Sequence, residues 1–99
     1  MVGREWDMQA LHGTHVAPSR EGHAVIEWSR PVPRCGSIRV RSFTCDCAAT
    51  VYELCSAAGL FHIRRTVRSP EGHRVSESPW LRVAEAIRLW DRLLDGSAR

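Results

Sequence analysis

Cys45, Cys47 and Cys55 lie within eleven residues of one another, Cys35 lies ten before the first of them, and His62 lies seven after the last. Thiolate sulfur and imidazole nitrogen are the donors that tetrahedral zinc takes, so the expected metal set is Cys45, Cys47 and Cys55 with Cys35 or His62 around one zinc ion. The spacing argues the other way. Cys45-x-Cys47 lacks the two-residue knuckle of a zinc ribbon, and the full series Cys35-x9-Cys45-x-Cys47-x7-Cys55 follows no zinc pattern with a geometric rationale. The competing expectation is no cofactor at all, with Cys45 and Cys47 as small buried hydrophobes beside Phe43, Tyr52 and Leu54. An iron–sulfur cluster would call on the same thiols and is less favoured.

A second constellation depends on strand pairing. If 51–55 and 60–64 form a hairpin, Cys55, His62 and Glu53 project from one face, in the order of a thiol nucleophile, a base and an orienting carboxylate. A small thiol-dependent enzyme using Cys55 and His62 is therefore one reading, and a solvated Glu–His pair the plainer one. His12-x-x-His15 lacks the Glu of a zincin helix and carries a Gly inside it, so with His23 it reads as a polar loop.

The third is basic. All 14 Lys+Arg positions are Arg, net charge is +3 and the pI is about 9.0. Arg39 and Arg41 share a strand face, and Arg64, Arg65 and Arg68 follow two strands on; with Phe43 and His62 nearby for stacking they form a candidate nucleic-acid surface. No helix-turn-helix or ribosomal motif accompanies them. Lys and Asn are absent, as a G+C-rich genome would produce, so part of the Arg content reflects codon usage. The Tyr52-Glu53-Leu54-Cys55 strand with Arg64-Arg65-Thr66 resembles small actinobacterial proteins of unassigned role, a resemblance that brings no site with it.

These residues must be positioned by a few elements. Trp80, Val83, Ile87, Trp90 and Leu94 recur every three or four residues and, at about 100° per residue, share one face of a helix expected over 79–95. Ser78 would cap it, Pro79 suits its first position and Gly96 would end it. Arg82, Glu85, Arg88, Arg92 and Asp95 take the other side, leaving Leu81 and Leu89 as an outer apolar pair for a partner. Upstream, Ser69-Pro70-Glu71-Gly72 is a turn between strands at 60–68 and 73–77. Ser56-Ala57-Ala58-Gly59 is a second turn, with Leu54 opposite Phe61 and Tyr52 opposite Ile63. Residues 37–47 and 23–28 alternate as further strands, and 1–22 is mostly loop with a short strand at 11–16. The expected fold is α+β: an antiparallel meander of roughly four to six strands over 23–77 with one C-terminal amphipathic helix on one face.

Ninety-nine residues accommodate one core, hence one domain over 1–99, folding alone or as a homodimer. The charged start, Met1-Val2-Gly3-Arg4-Glu5-Trp6-Asp7, is no signal peptide, and no stretch reaches the roughly 20 apolar residues of a membrane span. The expectation is a cytoplasmic protein with reduced cysteines and no membrane partner. Its size leaves little room for a substrate pocket. The favoured function is a non-enzymatic binding or regulatory module that meets a protein or nucleic acid through its Arg-rich sheet and outer helix face, with a zinc-stabilised version as the alternative.

Overall fold

In the computed structural model, which describes residues 14–32 and 37–99, the alternating stretches form four strands: β1 (Arg39–Phe43), β2 (Thr50–Ala57), β3 (Leu60–Ser69) and β4 (Gly72–Glu77). They pair antiparallel in the order β1-β2-β3-β4, and one helix, α1 (Val83–Asp95), packs on the sheet. The fold is α+β, as the pattern implies.

The β2–β3 hairpin turns at Ala58-Gly59, whose φ values are 52° and 82°. Two consecutive positive φ angles are the type I′ geometry that matches strand twist, and Gly59 adopts its angle without a Cβ penalty. This turn is two residues shorter than the expected loop. Ser56 and Ala57 therefore join the ladder opposite Phe61 and Leu60, and every later pair slips by two: Leu54 faces Ile63, Cys55 faces His62, and Glu53 faces Arg64. Because the side-chain period is also two, each residue keeps its face and changes only its partner.

On one face Tyr52, Leu54 and Ile63 meet Ala86, Trp90 and Leu93 of α1, with Ile26 and Ala98 completing the buried core. The opposite face carries Cys55, His62 and Glu77, also buried. β1 slips register between Val40 and Ser42, a bulge centred on Arg41. Arg39 and Phe43, expected on one face, thereby fall on different faces, opposite Ser56 and Glu53.

The helix starts at Val83, four residues later than expected, and Arg82 provides no side-chain cap. Ser78 is engaged elsewhere: its N–H donates to the Ile63 carbonyl (2.9 Å) and its hydroxyl accepts the Ile63 N–H (2.8 Å). Leu81 then exchanges two backbone hydrogen bonds with Phe61 (2.7 and 2.8 Å). The 78–81 segment thus satisfies the end of β3 beyond the last β4 pair, Arg64–Glu77. The inner helix face is also rotated from the expected one. Val83 and Ile87 are each 48% exposed, whereas Leu81 and Leu89, expected as an outer pair, pack against the core. Trp80 leaves the helix altogether and stacks on His62.

Residues 23–28 join no sheet. They run beside the C-terminal tail, where Ala24 and Ile26 donate to the Ser97 and Arg99 carbonyls, and Ser29 exchanges hydrogen bonds with Glu77. Gly96 ends α1 at φ 87°, and a Cβ there would sit 2.2 Å from the Pro18 carbonyl oxygen, so helix end and N-terminal segment meet at a glycine. No helix among the described residues is long and apolar enough to cross a membrane.

Candidate metal centre

Beyond Phe43 the chain leaves β1 and turns back to β2. Thr44 anchors the start of this connection, its N–H donating to the Tyr52 carbonyl and its Oγ1 accepting the Tyr52 N–H, both at 2.9 Å. Next, the Cys45 N–H donates to the Thr14 carbonyl (2.9 Å), which draws the N-terminal segment alongside. His15 follows directly. The Arg68 guanidinium, reaching across from β3, donates to the carbonyl oxygens of Asp46 and Ala48, and its backbone N–H donates to the Ala49 carbonyl. One side chain thereby pins the turn on both sides of Cys47.

The result is three donor side chains in one place. Ligand atoms of His15, Cys45 and Cys47 all lie within 4.8 Å of one another, and Cys47 Sγ is 3.5 Å from His15 Nε2. A tetrahedral zinc with bonds of about 2.0 to 2.3 Å places its ligands roughly 3.4 to 3.8 Å apart, so small side-chain rotations bring these atoms to bonding positions. This group could hold a metal ion. Cys45 is buried while His15 and Cys47 are exposed, and Thr14, Val16, Ala48 and Thr50 border them in an open hollow of about 160 Å3. The Cys47 thiol is pushed above its ordinary value, first by its hydrogen bond with Cys45, then by partial desolvation and the repulsion between two neighbouring thiolates. A bound dication would reverse that repulsion.

The structure distributes the other expected ligands. Cys35 lies outside the described residues. Cys55 and His62 face each other on β2 and β3, fully buried under the opposite sheet face. The sequence alone reads His15 as part of a polar loop, and its ligand position depends on the Thr14–Thr44 bridge, a parallel contact across thirty residues that no local pattern announces. The available signal was a His-rich segment in a chain that also carries Cys-x-Cys.

The thiol, base and carboxylate series is rearranged by the register. Glu53 binds Arg64 (2.8 Å), and Glu77 takes its place beside His62 (Oε2 to Nε2, 3.5 Å). Burial pushes the Cys55 thiol up to about 11, against the opposing pull of Arg64 and with the help of Glu53 and Glu77. A thiol protonated at neutral pH and closed to solvent is a poor nucleophile.

The five expected nucleic-acid arginines do not share a face. Arg39 is exposed on the edge strand β1, Arg41 donates to Ser56 Oγ (2.9 Å), and Arg64 pairs with Glu53. Arg65, next along β3 and so on the other face, lies 4.5 Å over the Trp28 ring, while Arg68 holds the cysteine turn. Compared with known proteins, the chain matches no protein-family model, no curated protein and no solved structure.

Proposed function

We propose that the chain is a small non-enzymatic binding module whose N-terminal segment is fastened to the sheet by one zinc ion on His15, Cys45 and Cys47. The observation that carries this reading is the convergence of three donors, within 4.8 Å, from two segments that are distant in sequence. Two thiolates and an imidazole suit zinc better than calcium or magnesium, which take oxygen ligands. Three protein donors leave a fourth position for water or an exchangeable ligand. Among the described residues no carboxylate lines the hollow around them, which favours a structural role over hydrolysis. The reading sets the protein in the cytoplasm, where thiols remain reduced.

Purified protein should carry about one equivalent of zinc, and a strong chelator should lower its thermal midpoint by several degrees. Cys47→Ser and His15→Ala should each lower zinc content without unfolding the sheet. A chain with under about a tenth of an equivalent, and a midpoint that neither chelator nor added zinc moves, would exclude the metal reading.

A further inference from the structure

Alternation along β3 places Arg65 on the same sheet face as Ile63, but beyond the part that α1 covers. There β3 and β4 share an open hollow of about 720 Å3 with the 28–31 segment. Arg30, Arg65, His73 and Arg74 border it, with Trp28 and Ser76, and among the described residues no carboxylate does. Among the described residues none of these three arginines forms an ion pair, in contrast to Arg64, which is matched by Glu53. Three unneutralised guanidinium groups around a concavity are a strong local positive field on a chain of net charge only +3.

One of them is already posed. The Arg65 guanidinium lies 4.5 Å over the Trp28 ring, and its Nη2 donates to Ser76 Oγ (3.2 Å). A guanidinium already held over an indole and by a hydroxyl loses less rotamer entropy when an oxyanion arrives. Ser76 faces Arg65 in the ladder and Arg74 lies two positions further along β4, so Arg65 and Arg74 are diagonal neighbours about 7 to 8 Å apart at their Cα atoms. That separation is on the scale of successive phosphates along an extended strand. Trp28 has one ring face under Arg65 and stands 5.9 Å, centroid to centroid, from Tyr52, which leaves it poorly placed to stack on a base.

We propose that this hollow binds the phosphodiester backbone of single-stranded nucleic acid without reading its sequence. Cationic side chains supply the attraction through phosphates, which carry no sequence information. An extended single strand can follow the open hollow, whereas a duplex is a stiff convex cylinder that would meet it along fewer phosphates. The inference is independent of the zinc site, which lies at the β1–β2 connection.

The test is fluorescence anisotropy of the full chain with two labelled short single strands, an oligothymidylate and a mixed sequence, and with the duplex of the latter. Both single strands should bind alike, at about micromolar affinity in low salt, and more tightly than the duplex. Arg30→Gln with Arg74→Gln should weaken binding about tenfold or more and flatten its salt dependence. Arg39→Gln with Arg88→Gln, an exposed pair of equal charge outside the hollow, should stay within about twofold. Circular dichroism confirms that both double variants fold. Equal losses from the two pairs would show attraction by net charge alone and overturn the proposal. So would a duplex that binds as tightly as the single strands, or no binding of either single strand in low salt.

Discussion

The His62 imidazole lies on the Trp80 indole, ring centroids 4.3 Å apart and planes 29° from parallel, while its Nε2 stands 3.5 Å from Glu77 Oε2. Both His62 and Glu77 are buried, so the face opposite α1 carries a polar cluster that Trp80 helps to cover. Removing the His62 ring takes away both contacts and leaves a cavity in a fully buried position. His62→Ala should therefore cost about 3 to 5 kcal/mol in urea unfolding. Pairing it with Glu77→Leu should cost clearly less than the sum of the single changes, because both remove the same interaction. Strict additivity would show that the two side chains do not interact.

Arg68 touches no donor atom of the metal group, yet it holds the carbonyl oxygens of Asp46 and Ala48 on either side of Cys47. Freed from it, the turn should present Cys47 in several poses. Arg68→Gln should lower zinc affinity about 10- to 100-fold, read by competition with a chromophoric chelator, the usual scale for a residue that orients ligands. Arg88→Gln, on the exposed side of α1, should leave it unchanged.

Cys55 links stability to alkaline pH. Its thiol is pushed up to about 11 in the fold from an ordinary value of 9.0, so between these values the folded chain retains a proton that the unfolded chain has lost. The stabilisation is complete below about pH 9 and disappears as pH rises through 11, by at most about 3 kcal/mol in total. Unfolding free energies measured from pH 8 to 11 should fall for the natural chain, and the fall should be smaller for Cys55→Val.

The rotated helix face makes opposite predictions for neighbouring apolar residues. Trp90→Ala removes a buried indole and should cost about 3 to 5 kcal/mol, and Leu89→Ala should cost about 1 to 3 because Leu89 packs on the core. Ile87→Glu, at a position 48% exposed, should change stability by less than about 0.5 kcal/mol. An Ile87→Glu variant that unfolds would place the inner face where periodicity alone put it.

Local sequence was enough for the central strands β2 and β3 and their faces. Alternation in 50–57 and 60–69 identifies two strands and separates Tyr52, Leu54 and Ile63 from Glu53, Cys55 and His62, because a strand has a period of two whatever it pairs with. Pro70-Glu71-Gly72 marks its turn, and Gly96 ends the helix, through backbone angles that few other residues adopt. What tertiary structure alone decided was which residues on a face meet. Ala58-Gly59 closes a tighter hairpin than the apolar pattern required, and that two-residue slip gave Glu53 to Arg64 and His62 to Cys55. Ser78 had the chemistry of a helix cap, but the bare end of β3 claimed it, so Trp80 went to His62 and α1 turned a different side to the core. Cys45 and Cys47 were legible as a pair, since one intervening residue keeps them adjacent. His15 was not. It reaches them through a backbone bridge between residues thirty apart, and neither periodicity nor spacing carries information about contacts of that range.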